Sequence, residues 1–108
     1  EAVQTSFTIS HFHVDLIQQK AFQVEGTEEK NLGLTPIEFK LLVHFLKNMD
    51  HVFSREELLR IVWGTAVHLS DHTVDTHISS LRKKIGESGA YLKAVVKKGY
   101  CFSIPSKT

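Results

Sequence analysis

The sequence predicts an α+β domain with an N-terminal antiparallel sheet, three helices and a C-terminal β-hairpin. Three observations carry this. Apolar residues alternate with polar ones through residues 5–34, the period of half-buried strands. Two capping boxes each open a stretch in which apolar residues recur at helical spacing. Near the end, two β-prone runs are joined by Lys97-Lys98-Gly99, a turn with a basic tip.

The strand signals come first. Phe7 and Ile9 alternate with polar neighbours, as do Phe12, Val14 and Leu16, then Phe22 and Val24. Gln18-Gln19-Lys20 and Gly26-Thr27-Glu28-Glu29 are the expected turns, and Leu32 to Leu34 is the candidate fourth strand. A sheet with one buried face follows. Thr35-Pro36-Ile37-Glu38 then combines a threonine N-cap, a proline at the first helical position and a glutamate three residues after the cap. Behind it Phe39, Leu42, Phe45, Leu46 and Met49 predict a helix to about Asn48. Ser54 and Glu57 repeat the box, with Leu58, Leu59 and Val62 as the buried stripe before Trp63-Gly64. Thr65 to Ser70 lacks periodicity and reads as a loop. Ser70 or Asp71 caps a third helix to about Ile85, with Gly86 as its stop and Val74, Ile78, Leu81 and Ile85 as its apolar stripe. Tyr91 to Val96 and Tyr100 to Ile104 form the closing hairpin.

A chain of 108 residues fits one domain, 1–108. Within it, 5–34 is the sheet, 35–86 the three-helix core and 91–104 the hairpin. With 42% hydrophobic and 23% charged residues the composition is that of an ordinary globular protein. The single cysteine, Cys101, excludes an internal disulfide and suits a reducing, cytoplasmic compartment. No apolar run approaches the ~18 residues needed to cross a membrane, so no membrane association is expected. The chain opens at Glu1 rather than methionine, as expected of a piece excised from a longer protein.

The formal net charge of +1 conceals an asymmetry. Residues 1–70 carry six Lys/Arg against nine Asp/Glu, whereas residues 71–108 carry seven against three. A basic C-terminal third suggests an anionic partner, although an ordinary solvated face would look similar. If Val74, Ile78, Leu81 and Ile85 face the core, then His72, Thr73, Thr76, Ser79, Ser80 and Lys83 point largely outward. Small hydroxyl residues let a helix approach closely and can meet base edges in a major groove. Arg82, Lys83 and Lys84 can neutralise phosphates. Lys97 and Lys98 on the hairpin can probe a minor groove or its phosphates. Together these elements read as a winged helix that binds double-stranded DNA.

The resemblance to one family is specific at this point. Leu34-Thr35-Pro36-Ile37-Glu38-Phe39-Lys40-Leu41-Leu42 resembles the first-helix motif of OmpR/PhoB-type output domains of bacterial two-component response regulators. Ser54-Arg55-Glu56-Glu57-Leu58-Leu59 with Val62-Trp63-Gly64 resembles the second helix. Thr73-Val74-Asp75-Thr76-His77-Ile78 with Leu81-Arg82-Lys83-Lys84-Ile85 resembles the recognition helix. Gly99-Tyr100 with Phe102 resembles the end of the wing. The resemblance implies a winged helix-turn-helix with a four-stranded N-terminal sheet. It implies phosphate contacts at Thr73, His77 and Arg82, with Trp63 near the backbone. Base reading falls on Thr76, Ser79 and Ser80. The loop around Thr65, Ala66, Val67, His68 and Leu69 matches a segment that can touch RNA polymerase, and a receiver domain is expected in the full-length protein. Two positions depart from the pattern. The arginine common before Thr73 is His72, so a permanent charge becomes a titratable one. The wing arginine is Val96, which leaves Lys97 and Lys98 as point donors without a planar fork.

Catalysis and metal binding are not expected. His11 and His13 share one strand face, and His68 and His72 are four apart, but no cysteine pair accompanies them. Ser, His and Asp near residues 70–77 lie on one helix, which precludes triad geometry. No phosphate-binding glycine loop is present, and no cofactor is expected. The competing reading is a winged helix that has lost DNA binding and docks a protein through the same helix.

Overall fold

Three strands that carry apolar residues and a charged fourth form an antiparallel meander at the N-terminus. The computed structural model describes residues 5–64 and 71–104. The sheet runs β1 (Ser6–Ile9), β2 (Phe12–Asp15), β3 (Lys20–Glu25), β4 (Glu28–Asn31), in that spatial order. Phe12 and Val14 are fully buried, and Val14 pairs with Ala21, which is buried beside it. That register turns Ala21 and Gln23 inward and places Phe22, opposite His13, on the other face. The expectation for Phe22 and Val24 therefore needs correction: Gln23 faces in because its amide donates to the Ile85 carbonyl at 2.8 Å. A half-buried polar side chain with a partner outranked the simple apolar alternation.

The fourth strand also differs from the expected Leu32 to Leu34. β4 is Glu28–Asn31, exposed along its whole length. Gly26, at φ 63°, makes a tight turn that pairs Glu25 with Glu28. A charged edge strand resists pairing with other chains but carries no hydrophobic pattern. Leu32 is buried beyond it. β3 likewise starts earlier than expected, at Lys20.

The helices follow their local signals. α1 (Pro36–Lys47) and α2 (Arg55–Trp63) both have complete capping boxes, on Thr35/Glu38 and Ser54/Glu57. α3 spans Asp71–Lys84, and the alternative cap Ser70 lies outside the described residues. Its stripe is as expected: Val74, Ile78, Leu81 and Ile85 are each at most 1% exposed. Burying such a side chain contributes about 1.5–3 kcal/mol. These residues join Phe12, Leu41, Leu42, Phe45, Leu58 and Phe102 in one core between sheet, helices and hairpin.

After a 3-10 turn (Gly86–Tyr91), the hairpin consists of β5 (Leu92–Val95) and β6 (Gly99–Phe102). Phe53, just before α2, forms a bridge to Tyr100 through reciprocal backbone hydrogen bonds of 2.8 and 2.9 Å. This addition requires a glycine at 99. A Cβ there would lie 1.9 Å from the Phe53 carbonyl oxygen, and φ is 135°. The hairpin is thereby clamped to the start of α2. Among the described residues no helix is long and apolar enough to cross a membrane.

Candidate nucleic-acid interface

With Val74, Ile78, Leu81 and Ile85 against the core, the 3.6-residue period assigns the rest of α3 to one outer stripe and two flanks. The stripe consists of His72, Thr76, Ser79 and Lys83, all exposed. The Thr76 hydroxyl donates to the His72 carbonyl at 3.0 Å. Asp75, Thr76, Ser79, Ser80 and Lys83 line a shallow depression of ≈ 470 Å³ on this surface.

The first flank is anchored to α1. Glu38, 2% exposed, accepts from Ser80 Oγ at 2.5 Å and from Lys84 Nζ at 2.6 Å. Its Oε1 also closes the capping box on the Thr35 N–H at 2.9 Å. Lys84 Nζ reaches the Gly33 carbonyl as well, at 3.2 Å. Burial pushes the Glu38 carboxyl up, but the hydrogen bonds from Lys84, Ser80 and Thr35 and the Lys84 charge more than reverse this, holding it at about 2. Two expected contacts change meaning here. Ser80 was expected to point outward but is half-buried, its hydroxyl proton committed to Glu38. Lys84, half-buried, is held in an ion pair with the buried Glu38 rather than standing free beside Lys83.

Further along, His77 and Trp63 lie side by side, ring centroids 5.3 Å apart. Both are half-buried, as is Thr73 one turn before His77. The end of α2 thus meets α3 at His77, with Thr73 one turn away, at positions for which the resemblance implies phosphate or backbone contact.

The second flank is anchored to the hairpin. Asp75 Oδ1 accepts from Arg55 Nε at 2.7 Å and from the Tyr100 hydroxyl at 2.6 Å. His72 Nδ1 lies 3.9 Å from Asp75 Oδ2. The Arg55 and Arg82 guanidinium carbons stand 5.3 and 5.7 Å from the Tyr100 ring centroid. Arg82 Nε also donates to the Leu92 carbonyl at 2.9 Å. Burial raises the Asp75 carboxyl, and the bonds from Tyr100 and Arg55, with the charges of Arg55 and His72, bring it below its ordinary value. Burial and Asp75 hold the Tyr100 phenol above its usual range.

Asp75, Arg55, Tyr100 and Glu38 went unassigned as members of this site. One signal pointed at the pair on the hairpin side. Arg55 occupies the first turn of α2, where the helix dipole disfavours a cation, so its position calls for a carboxylate partner. Beyond this flank, Lys97 and Lys98 are exposed in the turn between β5 and β6. The loop residues Thr65, Ala66, Val67, His68 and Leu69 lie outside the described residues. Of the histidines weighed as ligands, His11 Nε2 bonds to Ser88 Oγ at 2.5 Å and His13 Nδ1 to Thr8 Oγ1 at 3.0 Å. His68 also lies outside the described residues.

A helix exposed along one stripe, pinned on both flanks and set beside a basic hairpin defines a winged helix-turn-helix. The family described as "Transcriptional regulatory protein, C terminal" matches residues 28–102. The chain belongs to this family, the OmpR/PhoB type. It is 46% identical over 79 residues to the phosphate regulon transcriptional regulatory protein PhoB of Klebsiella pneumoniae, covering 71% of this chain and 34% of that protein. The chain thus spans about a third of the length of the PhoB relatives it matches. Its fold is similar to the DNA-binding domain of the response regulator AdeR, solved in complex with an intercistronic region. The TM-score is 0.79 at 26% identity, over 90% of this chain and 98% of that one. The DNA-binding domain of CadC from E. coli is similar at a TM-score of 0.77 and 30% identity, over 96% of each chain.

Proposed function

We propose that this domain binds duplex DNA sequence-specifically as the output domain of a transcriptional response regulator. In this reading α3 enters the major groove and the hairpin lies at the minor groove or its phosphates. The observation that carries the reading is the division of α3. Its flanks are tied to α1 and the hairpin, and the exposed His72, Thr76, Ser79 and Lys83 project between them. Thr76 and Ser79 are the hydroxyls placed to read base edges. Lys83, Lys97, Lys98 and the outer edge of Arg82 supply phosphate contacts, with Thr73, His77 and Trp63 beside the backbone. Ser80 acts through Glu38 as a positioning residue. In the full-length protein we place a receiver domain ahead of this one, the loop at residues 65–69 toward RNA polymerase, and the site of action in the bacterial cytoplasm. The domain itself needs no catalytic residue.

Fluorescence anisotropy on mixed-sequence duplexes tests the reading. Binding is expected at about 50 mM salt and should weaken on a log–log plot with a slope near −0.9 per phosphate contacted. A folded domain that binds no duplex under those conditions would instead be the protein-docking module.

A further inference from the structure

Across α1 from the carboxylate that anchors α3, the domain surface is apolar at its centre and basic around it. The helical period places Lys40, Val43, His44 and Lys47 on the side of α1 opposite Glu38. With Phe39 and with Ile61 of α2 they line a depression of ≈ 290 Å³. Ile61 is 47% exposed, although its helix buries Leu58 and Val62, and Val43 is half-buried. A single exposed isoleucine would be ordinary. Here it shares a concave site with two other apolar side chains.

Charge surrounds this site without entering it. Lys40 and Lys47 lie about two turns apart along α1, and Arg60 precedes Ile61 on α2. All three are exposed, and none is in an ion pair among the described residues. Glu57 lies beside Arg60 and Ile61, but its carboxylate already accepts the Ser54 N–H at 3.0 Å. His44 adds no charge to the lining. Burial, and then the charge of His51, lowers its imidazole below the ordinary value against the opposing pull of Glu57. Its Nε2 is buried with no hydrogen-bond partner among the described residues, so a proton there would leave a charge without solvation.

We propose that this groove between α1 and α2 docks an acidic amphipathic helix of a partner protein. An apolar side chain of that helix seats against Ile61 and Val43, and carboxylates beside it meet Lys40, Lys47 and Arg60. Recognition of a helix in a groove uses apolar anchors one turn apart, and the charges fix partner and register. A second copy of this chain fits less well, because its acidic edge strand β4 has no apolar side chain to offer. The groove faces away from the α3 flank that Glu38 holds, so it stands independently of the DNA-binding reading and stays open when α3 is occupied.

A displayed library of helical peptides, randomised on one face, would be selected on the wild-type domain. Enriched peptides are expected to carry apolar residues one turn apart flanked by Asp or Glu. Amide NMR shifts caused by the best of them should fall on residues 39–47 and 57–61 and spare the exposed stripe of α3. Ile61→Ser should weaken that peptide about tenfold, and Lys40→Glu by a similar factor, with far-ultraviolet spectra unchanged. Ile61→Ser should leave duplex affinity as it is. The proposal is overturned if no peptide is enriched, if the winners lack acidic residues, if the shifts map to α3 or the hairpin, or if both variants bind as the wild type does. Self-association of the domain that Ile61→Ser abolishes would also overturn it, by making the occupant a second copy. A folded domain that binds no duplex would remove the DNA-binding reading and leave the groove to be judged by the same peptide measurements.

Discussion

The two flanks of α3 are held by the same chemistry in different surroundings. On the α1 side the Glu38 side chain is 3% exposed and receives Ser80 and Lys84. On the hairpin side the Asp75 side chain is 34% exposed and receives Arg55 and Tyr100. Water screens the second cluster far more than the first, so similar geometry carries different energy. The α1 flank is a structural anchor that fixes how α3 sits on the core. The hairpin flank contributes less to stability and more to where the wing and Arg82 stand relative to α3. A DNA-reading domain benefits from this asymmetry. Its helix must be rigid, while its wing meets grooves of variable width.

The largest expected effect would test the anchor directly. Glu38→Ala opens the capping box and removes the partner of Lys84 and Ser80, so unfolding free energy in urea should fall by about 3 kcal/mol. Asp75→Asn should lose less than about 1 kcal/mol in the same assay. Equal losses would break the comparison.

Acid titration reaches the same contrast without a cavity. The Glu38 carboxyl is lowered from 4.5 to about 2 in the fold. A depressed carboxylate stabilises the native state above its unfolded value, and that contribution disappears as pH falls through the folded one. Stability should therefore decline by up to about 3 kcal/mol between those two values. Glu38→Gln should flatten that part of the curve, whereas Asp75→Asn should leave most of it standing.

For DNA affinity the order reverses. Asp75→Asn removes the charge that holds Arg55 and weakens the bond from Tyr100, and should weaken DNA binding about fivefold, equivalent to about 1 kcal/mol, with the far-ultraviolet spectrum unchanged. Glu38→Gln, measured well below its melting temperature, should change affinity less than Asp75→Asn. An affinity unaffected by Asp75→Asn would mean that the wing needs no tether to α3.

The smallest effect separates two adjacent lysines. Lys83→Ala should reduce the slope of log K against log salt by about one. Lys84→Ala should leave that slope nearly unchanged, because the Lys84 ammonium already faces Glu38. A unit change for both would show that Lys84 leaves Glu38 when DNA binds.

These flanks also mark where reading the sequence stopped. The helix starts were legible because capping boxes are local: Thr35 with Glu38 and Ser54 with Glu57 meet within one turn. The apolar stripe of α3 was legible because it repeats at the helix period. The destination of Ser80 was not, since its partner lies 42 residues earlier in the chain, and that of Lys84 lies 46 earlier. Nothing in Leu81-Arg82-Lys83-Lys84 distinguishes the lysine that faces Glu38 from the one that faces water. The fourth strand was expected too late, at Leu32 to Leu34, for a related reason, because a charged edge strand is defined by its neighbour's register rather than by its own composition.

By itself, then, the sequence determined the order of elements, both capped helix starts, the buried stripe of α3 and the family resemblance. All of these rest on interactions within a turn or on periods of two and 3.6 residues. Only the tertiary structure decided which polar groups of α3 remain available. Packing α1 against one side of that helix and the hairpin against the other withdrew Ser80, Lys84 and part of Arg82 from the outer surface. A buried carboxylate must find donors wherever the chain brings them. Helix period restricts those donors to one face, and long-range packing selects the residue.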